Sequence, residues 1–420
     1  MIQTLSLLPG ITLRCFPDSR FKQGTLSLQL VRPMDKHENA LNALLPAVLL
    51  RGCRQYPDLR AITLHLDDLY GAAVGAVVRR VGDYQTTGLS CGFMSDKYAL
   101  DGDQVMAPML SFLGQLLLEP ALENGAFRAD FVESEKRNLI FTIESQRNDK
   151  RIYAGARLTE HMCKADSFSI PRLGTVEQVA AITPQSLYDH YRKILSESPI
   201  EIFYVGAANP EAVAERLLKF LAPLHRQPIV LPPQTAFHDG GTGNYTEQME
   251  VSQGKLCMGF TTPTTLRSKD FPTMQVFNTI FGAGMTCKLF MQIREKMSLC
   301  YDIGSSYHGS KGILTVSAGI DCKDNELVQA EVLHQLAQCQ AGNITDAELA
   351  AAKQSLISQL QATHDSPGAI EGYYATAVLS GLQLTPESYR QAVENVTKED
   401  VVAAARSLCK HTVFFLKGVQ

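Results

Sequence analysis

Short runs in which apolar and polar residues alternate occur in both halves of the chain and predict β-strands. Examples are 25–31 (TLSLQLV), 256–260 (LCMGF) and 313–318 (ILTVSA). Amphipathic stretches, 131–143 and 347–360 among them, lie between such runs. Alternating strands bury one face of a sheet, and helices of this kind cover that face. The pattern predicts an α+β fold with largely antiparallel sheets, each covered on one face by helices.

The closing elements of the two halves are alike, which indicates a tandem duplication. In both, a Thr precedes a helix, and a β-rich apolar run follows it. Thr183 and Thr397 can each accept a hydrogen bond from a free N–H group of the first helical turn. The stretch 347–360 also opens on a capping box, Thr345 with Glu348. The closing segments are ITPQSL at 182–187 with the run 202–206, and VTKEDV at 396–401 with the run 413–418.

Proline and glycine are dense between residues 223 and 243, which predicts a linker between the two copies. Proline stiffens the backbone and glycine loosens it, and neither continues a helix. The expected organisation is therefore a domain at 1–222, a linker at 223–243 and a homologous second domain at 244–420.

Composition narrows the class of protein. The chain has 420 residues, of which 45% are hydrophobic, and this suits a globular protein of two or more domains. Its net charge is −4, so it has no excess of Lys and Arg for binding the phosphates of a nucleic acid. The first ten residues lack the basic start and long apolar run of a secretory signal, and no apolar run is long enough to span a membrane. Ten scattered cysteines without a C-x-x-C pair predict buried, reduced thiols. We expect a cytoplasmic protein.

The second half contains the segment FGAGMTCKLFMQIREKMSLCY at 281–301. A glycine-rich turn, then Leu-Phe, then Arg-Glu-Lys and then Tyr follow one another at fixed spacings. This order resembles the C-terminal-half signature of the pitrilysin/insulinase family of zinc peptidases, which includes the mitochondrial processing peptidase. Together with the duplication, the resemblance extends over essentially the whole chain and implies that family's duplicated fold.

Active members of this family carry H-x-x-E-H on a helix of the first half, where two His bind zinc and the Glu accepts a proton from the metal-bound water. The equivalent stretch here is ALLPAVLLRG at 43–52. The resemblance places Ala43 and Ala47 at the His positions, Pro46 at the Glu position and Thr142 at the distal ligand position. Methyl groups cannot bind zinc and proline cannot act as a base. The resemblance therefore implies that the chain binds no metal and that zinc belongs only to a partner subunit.

Three histidine-containing segments could in principle supply ligands for a different metal site, but the setting of each favours a structural role. The pair His37-Glu38 fits a solvated turn before the helix. His65, with two aspartates nearby, lies on the polar face of a predicted helix. His161 and Cys163 have the wrong spacing for two ligands on one helical face. No local pattern supports a Cys nucleophile paired with a His.

Four residues of the 281–301 segment match the family's substrate-binding positions. The resemblance implies that Arg294 and Tyr301 reach a zinc site and hold the substrate backbone and the developing oxyanion. The alternative is a surface ion pair for Arg294 and a core position for Tyr301. Gly282 and Gly284 are expected to allow a tight turn before a helix, with a substrate-contacting loop as the sharper alternative.

These features lead to one function and two alternatives. The chain is expected to pair with a homologous subunit that bears H-x-x-E-H, to place Arg294 and Tyr301 at that subunit's site, and to help process peptide or protein substrates. A non-enzymatic scaffold or peptide-binding protein is the alternative, and an independent metallopeptidase is a weaker one. Self-pairing of the isolated chain is left open.

A narrower resemblance concerns HDSPGAIE at 364–371 and the Leu-Leu-Pro helix at 44–46. Both resemble a bacterial subgroup of inactive halves that is associated with 5-aminopentanol modification of translation elongation factor P. The structural alternative for 364–371 is a loop after a long helix, because Pro367-Gly368 would end that helix.

Overall fold

A computed structural model describes residues 2–418 of the chain. The elements of the first half are β1 (Gln3–Leu8), β2 (Ile11–Pro17), β3 (Gln23–Pro33), α1 (Asn39–Leu49), α2 (Leu59–Asp68), β4 (Ala73–Val81), β5 (Tyr84–Met94), α3 (Met106–Leu118), β6 (Leu122–Glu123), β7 (Ala126–Phe127), α4 (Ala129–Asn148), α5 (Lys150–Met162), α6 (Val176–Ala180), α7 (Pro184–Glu197), β8 (Ile200–Gly206) and α8 (Pro210–Leu221).

The second half has a similar succession of elements, without counterparts of β1, β6, β7 and α8. They are β9 (Gly243–Met249), β10 (Gly254–Thr261), α9 (Phe271–Phe281), a π-helical segment (Phe290–Lys296), β11 (Cys300–His308), β12 (Ile313–Ile320), α10 (Asn325–Gln340), α11 (Asp346–Ala362), α12 (Pro367–Ser380), α13 (Pro386–Glu394), α14 (Lys398–Arg406) and β13 (Cys409–Gly418).

Five of the six strands of the first main sheet have the same order as the five strands of the second. The first has the strand order β1-β2-β8-β3-β5-β4, and the second has the order β11-β12-β10-β13-β9. In the first sheet only β2 and β8 pair in parallel, and in the second only β9 and β13 do, among the described residues. The strands β2, β3, β4, β5 and β8 thus correspond to β9, β10, β11, β12 and β13. This correspondence confirms the predicted duplicated α+β fold.

The helix-capping predictions are confirmed. Thr183 starts α7, Thr397 starts α14 and Thr345 starts α11, each with a capping box in which the side chains at both ends of the first turn bond to backbone N–H groups. Such boxes satisfy N–H groups that have no partner inside the helix. The same local chemistry therefore places the equivalent closing helices α7 and α14 in the two copies.

Alternation along β3 separates the two faces of the first sheet. Leu26, Leu28 and Leu30 are buried in the apolar core that the sheet forms with helices such as α1, α3 and α7. Ser27 and Gln29 point to the opposite face and are buried there as well. The strand is therefore covered on both faces, one apolar and one polar.

The chain forms two compact units, and each contains a segment from the other half of the sequence. The predicted domain ranges describe two consecutive pieces, whereas the units interleave along the chain. The first unit runs from the N-terminus to Glu144 and adds Ile170–Pro233 and His364–Thr376. The second unit contains Ser145–Ser169, Gln234–Thr363 and the chain from Ala377 onward.

Glu371 of α12 holds the late segment on the polar face of the first sheet. Its carboxylate accepts hydrogen bonds from Ser27 Oγ at 2.5 Å and from Gln29 Nε2 at 2.9 Å. The Arg79 guanidinium of β4 donates to both carboxylate oxygens, at 2.9 and 2.8 Å. Such two-pronged charge-assisted bonds fix orientation as well as contributing energy. The segment at 364–371 is thus a 3-10 turn and the start of α12, and not only a loop.

No helix or strand is assigned between α8 and β9 in the described chain, yet this stretch is hydrogen-bonded at both ends. In the first unit, Gln227 N donates to Ser196 O at 3.0 Å and Ile229 N donates to Glu197 O at 2.8 Å. In the second unit, Phe237 N donates to Lys311 O at 3.1 Å. The proline-rich stretch is therefore held at each end by backbone hydrogen bonds to other parts of the chain.

Within residues 2–418, which include all ten cysteines, no disulfide is formed, and eight of the cysteines are buried. Burial raises the pKa of Cys15 and Cys91 to about 12, so these thiols stay protonated. The expected burial is confirmed for these eight, while Cys409 is exposed. Within residues 2–418, every helix is too short or too polar to serve as a membrane span.

Candidate functional site

Helix α1 carries the three residues that the resemblance places at the positions of the zinc motif. Ala43 and Pro46 are buried and Ala47 is half-buried, and the helix packs against β5 and β4 within the first unit. Pro46 also lines a small apolar void together with Leu30 and Tyr191. These side chains are part of the apolar packing.

Pro46 changes the hydrogen bonding of α1. A helical residue at this position would donate its N–H to the carbonyl of Asn42, but proline has no N–H. Thr87 of β5 replaces that donor, since its hydroxyl donates to Asn42 O at 2.7 Å. The proline is therefore accommodated by a hydroxyl from the neighbouring strand.

A buried polar network continues from Asn42. Its Nδ2 donates to Gln85 Oε1 at 2.9 Å, and His190 Nε2 donates to its Oδ1 at 2.7 Å. Gln85 Nε2 donates in turn to Asn39 O at 3.0 Å. Burial lowers the pKa of His190 to about 4, so the imidazole is neutral at pH 7. Neutral hydrogen bonds thus anchor α1 to β5 and α7.

Thr142, which the resemblance places at the distal ligand position, lies exposed on α4. Its hydroxyl donates to Asn138 O at 2.9 Å, one turn earlier in the same helix. A different contact joins α4 to the end of α1: Arg51 Nη1 lies 3.4 Å from Glu135 Oε1. An ion pair between side chains therefore links the two elements that would each supply ligands in a zinc-binding relative.

The residues at the four motif positions do not fit a zinc ion. Structural and catalytic zinc sites use three or four His, Cys, Asp or Glu ligands. Ala43, Pro46 and Ala47 carry no donor atom, and Thr142 offers only a neutral hydroxyl. Within residues 2–418, no three His, Cys, Asp or Glu side chains form a group that could hold a metal.

The histidines weighed as substitute ligands make other contacts. His65, on α2, stacks on Tyr56 with ring centroids 4.5 Å apart, and its Nδ1 lies 3.2 Å from the Tyr56 hydroxyl. His161, on α5, stacks on Tyr245 with centroids 3.9 Å apart. Burial lowers the pKa of both imidazoles. Both histidines therefore pack against aromatic rings, and His65 is half-buried there, whereas the sequence pattern predicts an exposed polar face.

Arg294 and Tyr301 lie together on the second unit, on the wall of an open cleft of about 390 Å³. Tyr301, on β11, is 63% exposed and so does not pack in a core. The Arg294 side chain is 43% exposed, and its Nε lies 3.8 Å from Glu295 Oε1, which is a loose ion pair. Both donors are therefore accessible from solvent in this unit.

The π-helical segment Phe290–Lys296 sets the position of Arg294. Met297 N donates to Gln292 O at 2.9 Å, a bond that spans five residues. In this wider winding the Arg294 guanidinium lies 4.7 Å from the centre of the Phe290 ring. Short π-helical stretches occur frequently at functional sites.

The two glycines before this segment have different reasons for being glycine. A Cβ on Gly282 would lie 2.4 Å from Ser305 Oγ, so a side chain has no room between α9 and β11. Gly282 O also accepts from Ser305 N at 2.9 Å. Gly284 has a φ of +142° and open space around it. Gly282 permits close packing, and Gly284 permits the turn.

Sequence reasoning missed the acidic side chains of the cleft and the π-helix. Glu295, Asp321 and Asp324 line the same cleft as Arg294 and Tyr301. Glu295 directly follows Arg294, so the sequence alone could have placed it in the cleft. Asp321 and Asp324 follow β12, and only the antiparallel pairing of β12 with β11 brings them near Tyr301. The winding of the helix left no signal in the pattern of residues.

Comparisons with known proteins agree with this geometry. The family described as peptidase M16 inactive domain matches residues 181–356. The probable inactive metalloprotease YmfF of Bacillus subtilis is 29% identical over 411 residues, which are 98% of this chain and 96% of that protein.

Two crystal structures have the same fold over the whole chain. A conserved protein from Enterococcus faecalis V583 matches with a TM-score of 0.91 and 28% identity, covering 100% of this chain and 99% of that one. A peptidase M16 inactive domain from Pseudomonas fluorescens matches with a TM-score of 0.83 and 18% identity, over 100% and 98% of the two chains. Over its whole length the chain is thus similar to inactive homologues of the pitrilysin/insulinase peptidases, peptidase family M16, and its first half has no H-x-x-E-H motif.

Proposed function

We propose that this chain is the non-catalytic subunit of a two-subunit peptidase, paired with a homologue that carries an intact H-x-x-E-H motif. The observation that supports this pairing is the contrast between its two copies. The first has apolar side chains at the motif positions, and the second keeps Arg294 and Tyr301 accessible in an open cleft. A chain of this kind can supply hydrogen-bond donors but no metal-bound water.

The proposed role of the pair is to bind the substrate backbone and the oxyanion that forms when the partner's water attacks the peptide carbonyl. A guanidinium and a phenol are both donors, and donors aimed at developing negative charge lower the barrier. Contact with the Phe290 ring restrains the Arg294 guanidinium, while its loose pairing with Glu295 leaves N–H groups for a ligand. The side chain is thus oriented and still available.

The experiment is to co-express the chain with a homologue that bears H-x-x-E-H and to measure cleavage of a fluorogenic peptide by the purified pair. Removing one oxyanion donor costs on the order of 100-fold in turnover in well-studied enzymes. We expect Arg294→Ala to lower kcat by one to two orders of magnitude and Tyr301→Phe to lower it less. Arg390→Ala, which removes an exposed arginine of α13, serves as the control.

Unchanged turnover in the Arg294→Ala pair would overturn the proposed role of this residue. A stable complex that lacks activity would favour the scaffold or peptide-binding alternative, and failure to form any complex would remove the pairing itself. Zinc in stoichiometric amount in the purified chain, with cleavage that a chelator stops, would instead support an independent metallopeptidase.

The more specific proposal, from the resemblance of segment 364–371, is a role in 5-aminopentanol modification of elongation factor P in the cytoplasm. Deleting the gene should then leave elongation factor P with an altered mass at the modified residue, and a copy of the gene should restore it. An unaltered mass would remove this role and leave the peptidase pairing untouched. Cell fractionation with an antibody against the chain tests the location.

A further inference from the structure

The second unit contains a groove of about 550 Å³ between α5 and the strands β10, β11 and β12. Pockets of roughly 300–1,000 Å³ are typical of ligand sites. The α5 side is formed by residues such as Arg151, Gly155 and Thr159, and the floor by residues such as Ser306, His308 and Ser317. None of these positions belongs to the cleft that contains Arg294 and Tyr301.

The side of α5 that faces away from the groove is bonded to strand β9. The side that faces the groove is open. Glu247 of β9 accepts hydrogen bonds from Arg157 Nε at 2.7 Å and from the Tyr153 hydroxyl at 2.8 Å. His161 stacks on Tyr245 of the same strand. Leu158 packs downward into an apolar cluster with β10 and β13. The helix is therefore a fixed wall.

Several of the side chains that form the floor and the wall are small. A Cβ on Gly155 would meet no atom within 4 Å, so the helix face opens directly into the groove. Ser306 and Ser317 lie beneath, on β11 and β12. Small residues let a peptide backbone approach closely, and their hydroxyls can donate to its carbonyls or to a carboxylate.

Among the described residues, the groove is lined by an arginine and by no carboxylate. No carboxylate of residues 2–418 forms an ion pair with the Arg151 side chain, which is exposed at the groove. His308 lies across from it, with its Nε2 3.3 Å from Thr315 Oγ1. An unpaired guanidinium above a hydroxyl-bearing floor is complementary to an anionic group, and the absence of a lining carboxylate disfavours a cationic one.

We propose that this groove binds an acidic segment of an extended peptide, with a Glu or Asp carboxylate of that segment placed against Arg151. The peptide lies along the small residues of β11 and β12, and Gly155 provides the space for it beside α5. The proposal rests on the proposed function in one respect: the peptide is taken to be a segment of the substrate that the paired subunits handle. It thereby assigns a substrate class to this chain.

The test measures direct binding to the purified chain alone by fluorescence anisotropy, at low ionic strength. The probes are the labelled peptide Gly-Glu-Ala-Glu-Ala-Glu-Gly, its counterpart with Gln in place of each Glu, and its counterpart with Lys. We expect the acidic peptide to bind about 10-fold or more tightly than the Gln peptide, a difference of about 1.4 kcal/mol. Added salt should reduce the difference.

Two variants address the groove, and a third controls for net charge. Arg151→Glu should abolish the preference for the acidic peptide. Gly155→Phe should block all three peptides, because its ring projects into the groove, and it should not destabilise α5, since glycine is a weak helix former. Arg137→Glu makes the same charge change at an exposed position of α4 and should leave binding unchanged. Equal binding of the Glu and Gln peptides would overturn the proposal.

Acidic-peptide binding that survives both Arg151→Glu and Gly155→Phe would also overturn it, and thermal unfolding of each variant establishes that the chain is folded. The outcome is separate from that of the paired-enzyme experiment, because no partner and no catalysis are involved. Loss of binding in Arg151→Glu with normal turnover of the pair would show that the groove binds peptide without serving catalysis. Absence of peptide binding would leave the Arg294 result standing.

Discussion

The Thr87 hydroxyl donates a hydrogen bond of 2.7 Å to the carbonyl oxygen of Asn42, the group that Pro46 leaves without its helical partner. Thr87 and Asn42 are both buried, so this carbonyl has no route to solvent. Pro46 is thus tolerated in α1 because a strand residue supplies the donor that the helix lacks.

This relationship predicts that Thr87→Val lowers the free energy of unfolding of the first unit by about 1–3 kcal/mol, because a buried carbonyl is left without a donor. In a Pro46→Ala background the backbone N–H of residue 46 can bond to Asn42 O. The same Thr87→Val change should then cost about 1 kcal/mol less. A double-mutant cycle by urea unfolding measures the difference, and additive costs would contradict this explanation.

His190 makes the stability of the first unit depend on pH. Its pKa is lowered from 6.5 to about 4 by burial, so the folded state holds the neutral imidazole while the unfolded state takes up a proton below pH 6.5. Stability is therefore fully present above pH 6.5 and is lost as the pH falls towards 4, by about 3 kcal/mol in total. Urea unfolding should therefore give a lower free energy of unfolding at pH 5 than at pH 7.

His190→Gln is the matched control for the pH effect, because a glutamine Nε2 can still donate to Asn42 Oδ1. The variant should lose much of the dependence between pH 7 and pH 5. The carboxyl of Glu38, whose pKa is lowered to about 2 by its bonds to Arg32 and Lys193 against the cost of burial, affects stability only below about pH 4.5. An unchanged slope in His190→Gln would show that other groups cause the dependence.

Local sequence patterns predict much of the fold but only part of the candidate site. Strand alternation and the capping residues Thr183, Thr345 and Thr397 act over a few residues, so the sequence displayed them directly. The attachment of Glu371 to Arg79 joins residues 292 positions apart along the chain, and no local pattern encodes such a contact. The acidic lining of the Arg294 cleft depends likewise on strand pairing.

Glu371→Gln tests how far the attachment of α12 stabilises the first unit. The amide would place N–H groups against Arg79 donors and would leave the guanidinium without its carboxylate. We expect the unit to lose about 1–3 kcal/mol, and hydrogen exchange to quicken in β3 and β4. Glu144→Gln, an exposed change on α4, should do neither. Normal protection of β3 and β4 in Glu371→Gln would show that the carboxylate is dispensable.

Two Lys–Asp pairs in the second unit should respond very differently to loss of the lysine. Lys311 is fully buried, and its Nζ lies 2.9 Å from Asp166 Oδ1 and 3.1 Å from Thr235 Oγ1. Asp166 also accepts from the backbone N–H groups of Phe168 and His238, and its buried carboxylate loses its cationic partner when the lysine is removed.

Lys311→Met should therefore destabilise the second unit by about 3–5 kcal/mol, the usual cost of leaving one partner of a buried pair unpaired. Lys323 is 78% exposed and lies 3.9 Å from Asp321, a pair that solvent screens. Lys323→Met should accordingly leave the unfolding transition in place. Urea unfolding with a probe in each unit measures both variants, and similar effects of the two would contradict the weight given to burial. Since Asp166 also bonds to His238 N, Lys311→Met should further speed hydrogen exchange along 235–238.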